Sequence, residues 1–398
     1  MSRLRLDGPV PRSNPVVPRP PARAKPAAPT PASAFSPASA VRVALRPPVV
    51  SDAVRHTRQV LERLITSKSP RGAGVVVEDA PDVNDPQDVS GRRAEEARAA
   101  LATNTLAERV ALMQLSESDR AAYLAVRREL LRDGGDPVAA LALQTMLLEG
   151  RLARHPQLLA NLQAVVSQAL APELDRQQLL ADLVQEVAVP EAINQTSKGT
   201  CVPTAIGIQL AMNDPAEYVR LVSGLATPEG TVVTRGGDVL RREPGVFDDG
   251  TSRSTAQRLL APALMELGNG DHEYDNGADQ NQERVLWWTN EYQGLYPEQA
   301  DRILESLYGR DFAYHSLGSQ TERERAMDYV SERLAQGESV LVAVAWGDGG
   351  HQLLVTGTEL VDGVEYVRYV NPWGRVERLP MSEFVERMRA VNYDPNAT

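Results

Sequence analysis

The chain contains one cysteine, Cys201, in Gln195-Thr-Ser-Lys-Gly199-Thr200-Cys201-Val-Pro-Thr, directly ahead of an apolar stretch whose proline a first helical turn tolerates. This predicts Cys201 at a helix N-terminus. There, unpaired backbone N–H groups and the helix dipole favour the thiolate, the nucleophilic form. Taken as a residue type alone, cysteine also fits a small buried core position. A thiol nucleophile needs a base, and the histidines are His56, His155, His272, His315 and His351. Only His351 has suggestive surroundings: it follows Trp346-Gly-Asp-Gly-Gly350 and opens the run QLLVTG, so a glycine-rich loop delivers the imidazole to the end of a rigid strand. The next strand-like run, 364–370, ends in Asn371-Pro372-Trp373-Gly374. A hairpin between 351–357 and 364–370 brings Asn371 near His351, where its carbonyl can accept from the imidazole and fix the tautomer.

Gln195 lies six residues before the cysteine and Gly199 two before it; Gly-His follows some 150 residues later, and Asn-x-Trp-Gly after that. This order resembles the papain superfamily of cysteine peptidases. The piece from His351 to Glu377, with VTG (355–357) and NPWGRVE (371–377), is most similar to the calpain branch. The resemblance covers about 191–385. It implies a papain-like fold and peptide-bond hydrolysis through an acyl-enzyme, with Cys201 as nucleophile, His351 as acid/base and Asn371 as orienter. It further implies that the Gln195 side-chain amide joins the Cys201 backbone N–H in an oxyanion hole, and that Trp373 shields the His–Asn hydrogen bond, with Gly199 in support. Val202 stands where papain and calpain carry tryptophan, so a different substrate groove is expected. Cys-x-Pro-Thr is also similar to bacteriocin-processing peptidases, which use Asp as third residue; position 371 favours the Asn form. Two other readings stay open: an acyltransferase or glutamine deamidase with the same Cys–His pair, and a non-catalytic interaction protein of the same fold.

No cofactor and no metal is expected. A single cysteine excludes an intrachain disulfide and multi-cysteine zinc, iron–sulfur or CxxC sites. The acidic run 271–279 has Asn276 where a calcium loop needs glycine and Gln282 where it needs a closing glutamate, so a solvated loop is expected. Lys198 is expected to be an exposed loop lysine.

The elements that must position these residues are α+β. Residues 191–398 hold all four tryptophans and 17 of the 19 aromatics. Helices are expected over 202–212, 216–225, 255–267, 297–308 and 322–335, with strands over 231–234, 339–346 and 364–370. One nucleophile-bearing helix early and antiparallel strands late is not a βαβ alternation. Before it, 92–190 reads as an all-α subdomain with apolar stripes at Leu106/Val110/Met113, Tyr123/Val126/Leu130, Leu158/Leu162/Val165 and Leu179/Leu183/Val187. Asp136-Pro137 starts one of its helices, Gly134-Gly135 breaks the one before, and Gly150 suits its end. Residues 51–91 read as a linker with a short helix over 51–67. Residues 1–50 hold 12 of the 28 prolines and one aromatic, Phe35, and read as a disordered tail.

Residues 1–70 carry 12 Lys+Arg against 3 Asp+Glu, within a formal net charge of -11. An acidic body argues against nucleic acid as a partner. A protein or peptide substrate is expected, with a protein partner for the helical segment or the Pro-rich tail left open. No apolar run is long enough for a membrane span and the start lacks an apolar signal core. A cytoplasmic location is the default, with leaderless export as an effector also compatible.

Overall fold

The computed structural model describes residues 51–66, 86–270, 272–285, 288–347 and 349–396. The expected disordered tail, and residues 67–85 of the expected linker, lie outside them. The first half is helical: α1 (Asp52–Thr66), α2 (Pro86–Thr103), α3 (Thr105–Leu112), α4 (Glu117–Leu131), α5 (Pro137–Leu148), α6 (Arg151–Arg154), α7 (Pro156–Ser167) and α8 (Arg176–Ala188). Helix α2 begins at Pro86, within the stretch expected to be linker. At the start of α5 the Asp136 carboxylate accepts from the N–H groups of Val138 and Ala139, with Pro137 at the first helical position. Gly150 sits beyond its end at φ +68°, a left-handed conformation that favours glycine. Helix α5 is buried from Pro137 to Leu147, so its neighbours pack around it.

The stripes on α4, α7 and α8 point inward, but that on α3 does not: Leu106, Val110 and Met113 are 74%, 47% and 69% exposed. The inward face of α3 belongs instead to Glu108, which accepts from the Tyr123 hydroxyl (2.6 Å) and Gln144 Nε2 (2.9 Å) and pairs with Arg127 at 3.1 Å. A buried carboxylate needs partners, and turning α3 outward supplies three.

Helix α8 joins the two halves through its polar side chains. After a short 3-10 turn at Pro190–Ala192 come α9 (Cys201–Asn213), α10 (Pro215–Leu225), the hairpin β1 (Thr231–Val233) and β2 (Val239–Arg241), and α11 (Thr255–Asn269). The Asp182 carboxylate accepts from the first N–H of α11, at Thr255 (2.7 Å), while Gln185 donates to the capping Asp136 of α5 (2.8 Å). Glu186 accepts from Tyr218 of α10 at 2.5 Å and from Ser254, the residue that caps α11. Three neighbouring helices are thus fixed by one turn of α8.

The rest of the chain is mixed. A three-stranded antiparallel sheet of β3 (Glu273–Asp275), β4 (Gln280–Val285) and β5 (Trp288–Tyr292) precedes α12 (Pro297–Tyr308), β6 (Ala313–Ser316) and α13 (Gln320–Ala335). Then follow β7 (Val340–Trp346), β8 (Gly349–Val361), β9 (Val364–Asn371), β10 (Arg375–Pro380), α14 (Met381–Arg387) and β11 (Met388–Tyr393). These strands form a six-stranded antiparallel sheet in the order β10-β9-β8-β7-β11-β6, so the α+β class holds. Successive residues of β8 face opposite sides: Leu354 joins the core that contains α9, and Leu353 and Val355 the core under α13 and α14. Helix α9 is itself apolar nearly all round and buried from Val202 to Ile208. One continuous apolar core runs from Leu61 and Leu64 of α1 through α5, α8, α9 and α11 to Leu341, Leu354 and Val370 of the sheet. Among the described residues no helix is long and apolar enough to cross a membrane.

Burial of Glu186, with Asp182 beside it, pushes its carboxyl up to about 8. The neutral form is therefore favoured by folding, and its contribution is complete below the ordinary value near 4.5 and lost as pH rises through about 8. Calorimetric melting of wild type should drop more steeply than that of Glu186→Gln between pH 5 and 9, the gap changing by a few degrees at ~2–4 °C per kcal/mol. Parallel curves would mean that the buried carboxyl is already ionised at pH 5.

Candidate active site

Cys201 is the first residue of α9, and the preceding Thr200 makes no side-chain cap, so the first-turn N–H groups are left for another acceptor. The backbone N–H groups of Gln352, Val202 and Cys201 itself face the sulfur. Gln352 directly follows His351 on β8, so packing of α9 on β8 is what brings the thiol to the strand that carries the imidazole. The loop leading into α9 is held from several sides. Thr196 takes a left-handed φ of +58°, and its N–H donates to Asn194 Oδ1 at 2.7 Å. Gln195 Nε2 donates to Lys198 O at 2.8 Å, which fixes the amide orientation, and its buried Oε1 accepts from no described residue.

Two expectations about this loop are corrected. Lys198 is 7% exposed, not a surface lysine: its ammonium reaches across to donate to the carbonyls of Asn276 (2.7 Å) and Gly277 (3.4 Å). Nor is the acidic run a solvated loop. Tyr274 and Asn276 are buried, and Asp279 accepts from the Gly199 N–H (2.7 Å) on one oxygen and from the Tyr274 hydroxyl (2.8 Å) on the other. The β3–β4 turn is thus a brace under the segment that ends in Cys201. Gly199 lies close against it, since a Cβ there would stand 3.5 Å from both Asp279 Oδ2 and the Gly294 nitrogen. No group of described residues has the composition and proximity of a metal site.

On the other side, β8 and β9 pair antiparallel with Leu354 opposite Val370 and Val355 opposite Tyr369. Continued by one pair, that register sets Asn371 opposite Leu353 and so diagonal to His351, and His351 Nε2 lies 2.9 Å from Asn371 Oδ1. Asn371 then opens a tight turn: Gly374 donates to the Asn371 carbonyl at 3.0 Å, and its φ of +77° is one that favours glycine. The turn is tied to the nucleophile loop by an antiparallel bridge between Asn194 and Trp373 and by the Gln195 N–H donating to Pro372 O at 2.8 Å. Trp373 stacks on the His351 ring at 4.7 Å and 25°, and Trp346 lies 5.4 Å from the same ring. Behind them Asn371 Nδ2 donates to Glu377 Oε2 at 3.0 Å, and Arg375 pairs with Glu377 at 2.9 Å. His351, Asn371 and Glu377 are 7%, 0% and 5% exposed, so this polar chain runs through apolar surroundings.

No family model matches the chain, and no curated protein and no solved structure matches it significantly. Geometry alone therefore speaks for the site. Its electrostatics differ from the expected thiolate. Burial pushes the Cys201 thiol above its ordinary value despite the three N–H groups at the sulfur, and the Asp279 charge adds to this. Burial likewise lowers the His351 imidazole, against the opposing pull of Asn371 and Glu377. Both shifts favour the neutral forms, a thiol at Cys201 and an uncharged imidazole at His351. Desolvation of two potential ions outweighs the helix terminus, whose effect falls off within one turn.

Sequence reasoning gave no role to Glu377, Asp279, Tyr274 or Trp346. Glu377 had a faint signal: it stands among strand residues shortly after the Asn-Pro-Trp-Gly turn, opposite Tyr369 and diagonal to Asn371. Asp279 had none, because its contact is made across 80 residues.

Alkylation of Cys201, followed by intact mass, should be slow at pH 5–6 and keep accelerating above pH 9. Fast labelling at pH 5 would instead require a resting ion pair.

Proposed function

We propose that the chain is a papain-like cysteine peptidase that hydrolyses peptide bonds of a protein or peptide substrate through an acyl-enzyme. The observation that carries this reading is the buried His351–Asn371 hydrogen bond, on the strand whose next backbone N–H faces the Cys201 sulfur. An ordinary buried cysteine needs no oriented imidazole on the adjoining strand.

In this reading each step falls to a named residue of the site. With Nε2–H donated to Asn371, His351 keeps Nδ1 unprotonated as the base. Nδ1 takes the thiol proton as the sulfur attacks the carbonyl carbon, and the C=O electron pair becomes an oxyanion. The Cys201 N–H and the Gln195 amide hydrogen not spent on Lys198 stabilise that charge, each donor supplying about 3 kcal/mol. Collapse breaks the C–N bond while Nδ1–H protonates the leaving amine, giving a thioester. Water, deprotonated by the same nitrogen, then attacks the thioester and returns the thiol. Trp373 and Trp346 against the ring limit water access to the imidazole while it carries the proton.

The productive state shares one proton between thiol and imidazole. It is lost at low pH when both are protonated and at high pH when both are deprotonated. Because burial lowers one group and raises the other, kcat/KM on a denatured protein substrate should show a broad plateau, bounded on the acid side below His351's usual 6.5 and on the alkaline side above the ordinary thiol range. Cys201→Ala and His351→Ala should abolish turnover, and Gln195→Ala should lower kcat by about 10²–10³ with alkylation retained. Peptide products in the Cys201→Ala variant at wild-type rate would end the reading.

A further inference from the structure

Asn371 can face His351 in two ways, and only one of them leaves a base. With Oδ1 toward the ring, Nε2 must carry the proton and Nδ1 is free; with Nδ2 toward the ring, Nε2 must accept, and the neutral imidazole carries its proton on Nδ1. The His351–Asn371 contact by itself is compatible with either arrangement. We propose that Glu377 is the positioning residue that makes this choice, a role that rests on the peptidase reading for its consequence in catalysis. An ionised carboxylate only accepts, so the amide edge of Asn371 that faces Glu377 Oε2 at 3.0 Å has to be Nδ2, and Oδ1 is driven toward His351. The Trp373 N–H also points at Asn371 Oδ1, but at 3.3 Å it is the weaker constraint. The Glu377 carboxylate is itself anchored, paired with Arg375 at 2.9 Å on Oε1. Asn371 is fully buried, so water offers no substitute partner when Glu377 is removed.

The polarity of this relay can be reversed as a test. In Asn371→Asp alone, two carboxylates oppose each other at the 371–377 contact and activity should drop at least about tenfold. In Glu377→Gln alone the new amide can present either edge, so Asn371 is no longer oriented and activity should fall more modestly. In the double variant, the carboxylate at position 371 accepts from His351 Nε2–H on one oxygen and from the amide at position 377 on the other, and activity should rise above that of Asn371→Asp. A residue that only supports the fold predicts a double variant no better than the worse single one.

The direct readout is ¹⁵N NMR of the His351 ring in the full chain at a pH where it is neutral. Wild type and the double variant should be protonated at Nε2, and Glu377→Leu should shift protonation toward Nδ1, with at least about a tenfold loss of kcat/KM. Should Glu377→Leu not fold by circular dichroism, Glu377→Gln and the double variant carry the decision. Unchanged Nε2 protonation in a folded Glu377→Leu, or no recovery in the double variant, overturns the proposal. The two failures separate cleanly: a tautomer that follows Glu377 in a protein without Cys201-dependent hydrolysis refutes the peptidase reading and leaves the positioning role intact.

Discussion

Strand β8 is apolar on both of its faces, and that single constraint organises the molecule. A strand so built has to be covered twice, by α9 on one side and by α13 and α14 on the other. Covering the first side puts the N-terminus of α9, and with it Cys201, beside the start of the strand. Pairing β8 with β9 in a register that keeps Leu354 opposite Val370 puts Asn371 there as well. A slip by one residue would turn the His351 side chain to the opposite face of the sheet, so the packing that stabilises the sheet also dictates which polar groups meet.

The polar chain His351–Asn371–Glu377 is the counterpart of that apolar frame. Each member is buried, and each is satisfied chiefly by the next, an arrangement that fixes orientation more than it adds stability. The nucleophile side is built on the same rule, with Gln195, Lys198 and Gly199 each held by a specific backbone or carboxylate partner. The site is assembled from three segments, and the bridge from Asn194 to Trp373 fastens two of them together.

What was legible in the sequence was local or periodic. The helix at Cys201, the hairpin that carries His351 and Asn371, the cap at Asp136 and most inward stripes follow from spacing and turn chemistry. What was not legible depends on contacts between distant segments. Lys198 and the 271–279 run look solvent-facing by composition, yet each finds a buried partner in the other. The α3 stripe shows the converse: a regular apolar period was overruled by one carboxylate, Glu108, whose three partners all lie on the inward side. The shift of the thiol escapes the sequence for a related reason, since the partial burial of Cys201 comes from the packing of α9 and not from its residues in a row.

The core shared between the helical half and the sheet bears on how such a molecule could be switched on. A zymogen sheds its inhibitory segment because that segment lies on the surface of a domain complete without it. Here α8 supplies the capping groups of α11 and part of the cover of α9, so cutting the chain near residue 190 and releasing the helices would uncover the very helix that presents Cys201. The helical half therefore completes the core around α9, and its loss would expose apolar surface of the helix that carries Cys201.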